Sequence, residues 1–144
     1  MKKISFLILV MCCFLSTQCE DDIVLDIDNT CDDVVVVDDI AFDNIQSDSF
    51  QFVDVVIEGD CLHVTIGASG CDGNSWSYGL VDSGAVAESS PEQRFLKLEF
   101  LNPEVCTAFF ERTISFNIAS LQINGSNEII LNLNGWEPPL NYSY

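Results

Sequence analysis

The sequence predicts an all-β fold, an immunoglobulin-like antiparallel β-sandwich of about seven to nine strands. Three observations lead to this prediction. Short runs of alternating apolar and polar residues recur along the chain, turn-forming residues separate them about every eight to twelve positions, and no segment shows a convincing helical periodicity. The length of the chain suits one domain, which we place at residues 25–144.

Residues 1–18 have the form of a secretory signal peptide. Lys2 and Lys3 give a positive tip, and the segment from Ile4 to Leu15 is apolar. A positive tip followed by an apolar run of about 7–15 residues is typical of an export signal, whereas a membrane-spanning helix needs about 20 apolar residues. The alternative is a buried N-terminal helix, which the lysine pair disfavours.

An acidic stretch with a leading cysteine follows this segment and consists of Cys19, Glu20, Asp21 and Asp22. The stretch resembles a bacterial lipoprotein signal, in which the cysteine after the apolar core is lipidated and becomes the new N-terminus. The acidic residues resemble the tetrad found after this cysteine in surface-exported lipoproteins of the Bacteroidota type. The resemblance covers residues 1–22 and departs from the usual pattern at Ser16 and Gln18, where Leu and a small residue are expected.

This resemblance implies a location and an anchor. Cys19 would carry the lipid, Glu20, Asp21 and Asp22 would act as the export signal, and residues 19–24 would form the anchor and a short tether. The protein is then expected in the cell envelope as an outer-membrane lipoprotein that faces the outside. Its membrane contact would run through the lipid.

The chain after residue 18 is strongly acidic. Its only basic residues are Arg94, Lys97 and Arg112, so three cations stand against 23 carboxylates and the formal charge is −20. Nucleic acid is excluded as a partner because binding phosphates requires clustered cations. An anionic lipid surface would also repel the domain. A cationic partner, a divalent metal ion or simple solubility remain as explanations of the charge.

Four cysteines follow Cys19, namely Cys31, Cys61, Cys71 and Cys106. An even number in an exported chain predicts two disulfides, and three pairings are possible. A zinc–thiolate site is the alternative, but it favours a close pair such as C-x-x-C, which these spacings lack. We prefer Cys31–Cys61 with Cys71–Cys106, because the first bond would tie the leader strand to a hairpin.

The first predicted strands lie in an aspartate-rich segment. Ile23, Leu25 and Ile27 alternate with Val24, Asp26 and Asp28, which predicts a short half-buried strand. Val34 to Val37 form an apolar run between pairs of aspartates. Such a run predicts a buried strand whose flanking charges guard against aggregation. A β-hairpin is predicted next, because the alternating arms Val53–Ile57 and Leu62–Ile66 flank the turn Gly59–Asp60.

The remaining pattern alternates strands with loops. Predicted strands cover Trp76–Leu80, Leu96–Phe100, Thr107–Phe110, Ile114–Ile118 and Ile129–Leu133, with loops at Gly67–Ser75 and Asp82–Pro91 and a hairpin turn at Asn124–Gly125. The order Cys61, Trp76, Cys106 resembles the Cys…Trp…Cys order of immunoglobulin domains. The tyrosine that those domains carry two residues before the second cysteine is replaced here by Glu104.

Two groups of residues are candidates for binding. Asp72-Gly73-Asn74 can direct side-chain oxygens towards one Ca²⁺, although an Asx-type turn beside a disulfide is the favoured alternative, so no cofactor is predicted. Trp76, Tyr78 and Trp136 can form an aromatic surface for an extracellular protein or a glycan. For these aromatic residues the alternative is packing in the core.

Catalytic motifs are missing from the sequence. His63 is the only histidine, no G-x-S-x-G elbow or glycine-rich phosphate loop occurs, and no pair of carboxylates stands out. The leading hypothesis is therefore a non-catalytic binding or accessory module. An enzyme inhibitor that uses the Asp82–Pro91 loop and a carboxylate-dependent glycan hydrolase are the two alternatives.

Overall fold

A computed structural model of the protein describes residues 31–144. The predicted signal peptide, the anchor and tether with Cys19, Glu20, Asp21 and Asp22, and the predicted strand at residues 23–27 lie outside this part of the chain. Within the described part, neither helical segment has the length and apolar character that a membrane crossing requires.

Within residues 31–144, nine strands form two sheets that pack on a shared core. They are β1 (Asp33–Val34), β2 (Val36–Val37), β3 (Gln51–Glu58), β4 (Cys61–Gly70), β5 (Ser77–Ala87), β6 (Glu92–Leu101), β7 (Ala108–Asn117), β8 (Glu128–Leu133) and β9 (Leu140–Ser143). A short helix α1 (Asp39–Asn44) follows β2, and a 3₁₀ turn covers Ala119–Leu121. The first sheet has the order β1-β7-β4-β3 and the second β2-β5-β6-β8-β9.

The core consists of the apolar rows that alternation in the sequence marks. Leu62, Val64 and Ile66 of β4 are fully buried, and Leu96 and Phe100 of β6 are fully buried opposite them. Each such side chain contributes about 1.5–3 kcal/mol when it leaves water. The predicted β3–β4 hairpin is confirmed, with Glu58 paired to Cys61 and a positive φ of 59° at Gly59.

The strand directions differ from the antiparallel arrangement that was expected. Three neighbouring pairs are parallel: β1 with β7, β2 with β5, and β6 with β8. An alternating strand shows which side chains are buried but carries no signal for the direction of its neighbour. The fold is therefore mostly β with two mixed sheets, and an immunoglobulin-like topology stays a prediction from the sequence.

The four-valine run does not form one buried strand. Only Val35 is buried, whereas Val34, Val36 and Val37 are 46–50% exposed. The reason is that the chain crosses here from the first sheet to the second, with β1 pairing to β7 and β2 pairing to β5. The helix α1 then begins, capped by Asp38, whose carboxylate accepts a hydrogen bond from the Ala41 N–H at 2.8 Å.

One predicted loop is shorter than expected, and one predicted hairpin does not form. β5 runs through the predicted loop as far as Ala87, so the loop before β6 contains only residues 88–91. Gly125 does adopt a positive φ of 91°, but no hairpin forms there, because β8 pairs with β6 and β9. In both places long-range pairing decided the outcome rather than local turn chemistry.

The disulfides join Cys31 to Cys61 and Cys71 to Cys106, the pairing preferred from the sequence. Cys61 opens β4, and Cys71 follows its last residue, Gly70. A strand advances about 3.3 Å per residue, so the two bonds lie at opposite ends of a long strand. One end holds the start of the described chain, and the other carries the loops around Cys71 and Cys106.

Candidate functional site

A groove on the outer face of the second sheet is a concave site of the described residues. Its volume is about 550 Å³, and we call it the outer groove. The side chains that define it are Phe42, Phe95, Lys97, Asn132, Asn134, Trp136 and Glu137. A volume of this size falls within the range of about 300–1,000 Å³ that is usual for small-molecule sites.

The sheet supplies the floor of the groove. Side chains of β6 alternate, so that Leu96 and Leu98 enter the core while Phe95 and Lys97 face outward. The parallel register places Asn132 of β8 directly beside Phe95. The floor therefore combines an aromatic ring, an amine and an amide.

Helix α1 supplies one wall through a contact with Lys97. The Lys97 Nζ donates a hydrogen bond to the Phe42 carbonyl at 2.8 Å and lies 4.2 Å from the centroid of the Phe42 ring. A cation over an aromatic face is attracted to it. The amine thus fastens α1 to the sheet through one of its three N–H donors.

Trp136 supplies the opposite wall. It follows Gly135, whose φ is +87°, and its ring meets the edge of Phe52 at a centroid distance of 6.0 Å. Its Nε1–H is buried and has no hydrogen-bond partner among the described residues. An unsatisfied buried donor costs about 1–3 kcal/mol, so a movement that brings this N–H to an acceptor would be favourable.

The three aromatic residues predicted as a ligand surface do not form one surface. Trp76 is only 7% exposed and packs edge-on against Phe100 at 5.2 Å, so it belongs to the core. Tyr78 is half-buried and lies against the same ring at 5.7 Å. Of the three, only Trp136 lines the outer groove, because Trp76 and Tyr78 both pack against Phe100.

The loop with Asp72, Gly73 and Asn74 binds the side-chain carboxylate of Glu104. Asp72 forms an Asx turn, in which its Oδ1 accepts the Asn74 N–H at 2.9 Å. The backbone N–H groups of Cys71, Asp72 and Gly73 donate to Glu104 Oε2, and the Ser75 hydroxyl donates to Oε1. The loop therefore directs a row of amide donors towards Glu104.

These hydrogen bonds change the acidity of Glu104. Desolvation alone would raise the pKa of this carboxyl, but hydrogen bonds from the N–H groups of Gly73, Cys71 and Asp72 and from the Ser75 hydroxyl lower the pKa to about 2. In the sequence, Glu104 stands out only as the residue that replaces a tyrosine. The glycine-rich loop was a signal for amide donors, but nothing in the sequence connects it to a residue about thirty positions later.

The basic residues of the described chain all have partners within it. Arg94 is buried against Asp82, Lys97 holds α1, and Arg112 donates to the carbonyls of Asp72 and Glu111. His63 lies half-exposed, 3.9 Å from Glu58. Across residues 31–144, no three His, Cys, Asp or Glu side chains come together in a way that could hold a metal ion.

Comparison with known proteins identifies neighbours in fold. No protein-family model and no curated protein matches this sequence. A DUF1344 protein of unknown function from Bacteroides vulgatus superposes with a TM-score of 0.51 at 18% identity, covering 78% of this chain and 55% of that one. A NigD-like immunity protein from Bacteroides caccae superposes with a TM-score of 0.55 at 10% identity, covering 76% and 62%. This chain thus spans less than two thirds of either neighbour, and the likeness shows a shared fold.

Proposed function

We propose that the protein is a lipid-anchored, non-catalytic binding module of the cell envelope that takes a neutral glycan in the outer groove. The observation that carries this proposal is the groove itself, which combines aromatic walls with amide side chains in a volume of about 550 Å³. A non-catalytic accessory or immunity-type role, as the name of one structural neighbour suggests, is consistent with it.

The chemistry of the lining favours a sugar. Sugar rings present apolar C–H faces to aromatic side chains and hydroxyl groups to amides, and binding sites pair a few placed polar groups with aromatic surface. Phe95 and Trp136 can meet such faces. Asn134 and the Asn132 Oδ1 are suited to bond the hydroxyls, whereas the Asn132 Nδ2 already donates to Gln93 and to the Arg94 carbonyl. The charged side chains of the lining are one amine, Lys97, and one carboxylate, Glu137, so their formal charges balance and favour a neutral ligand.

The carboxylates of the groove argue against hydrolysis. A glycoside hydrolase places two carboxyl groups about 5–10 Å apart across the bond that it cleaves. Glu137 is the only carboxylate among the described residues that line the outer groove. The groove therefore supports binding better than the glycan-hydrolase alternative.

Tryptophan fluorescence provides the test of the groove. The chain has two tryptophans, and Trp76 is buried in the core, so a ligand in the groove should alter the signal of Trp136 alone. The probes are short oligosaccharides of glucose, xylose, mannose and N-acetylglucosamine. We expect at least one to shift the emission, and Trp136→Ala to weaken its binding by about tenfold or more, measured by calorimetry.

A matched variant separates the groove from the rest of the surface. Tyr78→Phe alters an aromatic residue away from the groove and should leave sugar binding unchanged. The glycan proposal fails if no oligosaccharide binds, or if Trp136→Ala and Asn134→Ala bind as the unaltered protein does. Release of reducing sugar from a bound oligosaccharide would instead support the hydrolase.

The anchor requires a separate test, because its residues precede the described chain. The full chain and Cys19→Ala should be compared by membrane fractionation and by protease treatment of intact cells. We expect the native protein in the membrane fraction and accessible from outside, and Cys19→Ala in the soluble fraction with the domain still folded. Equal fractionation of the two proteins would contradict the lipid anchor at Cys19 and would not affect the glycan proposal.

A further inference from the structure

The loop formed by residues 102–107 presents an isolated apolar side chain to solvent. Val105 stands at its apex and is 92% exposed, the highest value among the large exposed hydrophobic residues of the described chain. Its neighbours Glu104 and Cys106 are both bound to the loop that follows β4. We call residues 102–107 the clamped loop.

Several bonds hold the clamped loop in place. Asn102 N–H donates to Asp48 Oδ2 at 2.7 Å, and Asn102 Nδ2 donates to the Ser69 carbonyl at 2.7 Å. The Glu104 N–H donates to Asn102 Oδ1 at 3.0 Å, and its carboxylate receives the amide donors described above. The Cys71–Cys106 disulfide closes the other side. The loop is therefore fixed on both sides of Val105.

The side chains of the clamped loop alternate in direction. Glu104 and Cys106 point back to the loop after β4, whereas Val105 between them points into solvent. Val105 is therefore displayed between two anchored neighbours. The backbone N–H and C=O of Val105 form no hydrogen bond within residues 31–144. A segment with free backbone groups is suited to pair with a cleft that binds peptides as strands.

The position of the loop also suits an external partner. The clamped loop lies at the end of β4 marked by Gly70, and the described chain begins at the other end, beside Cys61. It therefore projects away from the side on which the chain enters the domain. At 92% exposure, the Val105 side chain is open to a partner.

We propose that the clamped loop is a substrate-like inhibitory loop for an endopeptidase whose primary pocket takes a small aliphatic side chain. Val105 enters the pocket, and the backbone around it pairs with the cleft. Holding a loop in its bound conformation reduces the entropy lost on binding, which is how rigid loops reach high affinity for proteases. The loop at Asp82–Pro91, expected from the sequence to play this part, is mostly strand, and its Asp82 is buried.

Pancreatic elastase is the probe, since its primary pocket is small. The folded domain should competitively inhibit hydrolysis of a short peptide substrate, and Val105→Asp should raise the inhibition constant at least about 30-fold. Val56→Asp is the matched control, because Val56 is also exposed, at 41%, but lies on β3. We expect Val56→Asp to inhibit as the unaltered protein does.

A change of specificity makes the test sharper. Trypsin accepts a basic side chain in its primary pocket, so Val105→Arg should lose inhibition of elastase and gain inhibition of trypsin, whereas Val56→Arg should gain none. Three results would overturn the proposal: no inhibition of elastase at about 10 μM protein, no trypsin inhibition by Val105→Arg, or rapid cleavage after Val105 that consumes the protein as a substrate. Circular dichroism of each variant verifies that the domain is folded.

Discussion

Asp82 of β5 and Arg94 of β6 form a two-pronged ion pair inside the protein. Arg94 Nε donates to Asp82 Oδ2 at 3.0 Å, and Nη2 donates to Oδ1 at 2.6 Å, with Asp82 fully buried and Arg94 only 8% exposed. The Gly84 N–H also donates to Asp82 Oδ1 at 2.7 Å. These bonds span the irregular stretch between Asp82 and Val86, where the β5–β6 register shifts. They hold together a segment that the sequence alone marks as a loop.

Removal of one member of this pair should destabilise the fold strongly. Arg94→Met leaves the buried Asp82 carboxylate with little more than the Gly84 N–H, and we expect the free energy of unfolding to fall by about 3–5 kcal/mol. Urea unfolding measures this change. The double variant Asp82→Leu/Arg94→Met is the control. Its free energy of unfolding should fall clearly less, because it leaves no buried charge unpaired. A single-variant loss below about 1 kcal/mol would contradict the burial of this pair.

The Glu104 carboxylate should make stability depend on pH in the acid range. Its pKa in the folded protein is about 2, below the ordinary value of 4.5. A lowered pKa contributes stability above the unfolded value, and this contribution disappears as the pH falls from 4.5 towards 2. Glu104→Gln should therefore have a lower free energy of unfolding than the unaltered protein at neutral pH. This difference in free energy, measured by urea titration, should shrink as the pH falls from 4.5 towards 2.

The net charge of the protein also changes with pH, so this prediction needs a charge-matched control. Glu88→Gln removes the same charge from an exposed residue in the loop before β6. Its difference from the unaltered protein should be small and should lack the steep change below pH 4.5. Equal pH profiles for the two variants would show that the amide donors do not hold Glu104.

Gly70 should tolerate no side chain. A Cβ added there would overlap Glu104 Oε2 and lie 2.9 Å from Trp76 Cζ2, and Trp76 is buried and cannot move aside easily. We expect Gly70→Ala to lower the free energy of unfolding by about 1–3 kcal/mol. Gly79→Ala is the matched control, because its Cβ would make only ordinary contacts with Glu99, the nearer at 3.4 Å. If both variants unfold at the same urea concentration, Gly70 is not packed as described.

Tyr142 connects the second sheet to the β3–β4 turn of the first. Its buried hydroxyl donates to Asp60 Oδ1 and accepts from Gln122 Nε2 at 2.8 Å. Desolvation, followed by the hydrogen bond to Asp60, raises the pKa of this phenol. Tyr142→Phe should lower the free energy of unfolding by about 1–2 kcal/mol, measured in urea. Tyr78→Phe is the control and should be nearly neutral, because the Tyr78 hydroxyl has no hydrogen bond within residues 31–144. An equal loss of stability in both variants would argue against the Tyr142 bridge.

Within the described chain the sequence predicted the elements that depend on local pattern. Alternation of Leu62, Val64 and Ile66 identified the buried row of β4, and Gly59–Asp60 identified the hairpin before it. The spacing of the cysteines favoured disulfides, and the preferred pairing agrees with the structure. For the candidate site, Trp136 was singled out and lines the groove. Trp76 was a candidate for the same surface with core packing as the alternative, and it lies in the core.

Tertiary structure decided which strands are neighbours and what their outer faces carry. An alternation with a period of two indicates that one face of a strand is buried. The same alternation occurs whether the neighbouring strand runs parallel or antiparallel. The β6–β8 pairing and the crossing at Val35 could therefore not be predicted from the local sequence. Asp82 has its partner 12 residues away in the sequence, and Glu104 has its partners about 30 residues away. The outer groove likewise combines residues of α1 with residues of the segment after β8. Such contacts form only when the whole domain packs, because the free energy that orders them comes from burying a core shared by both sheets.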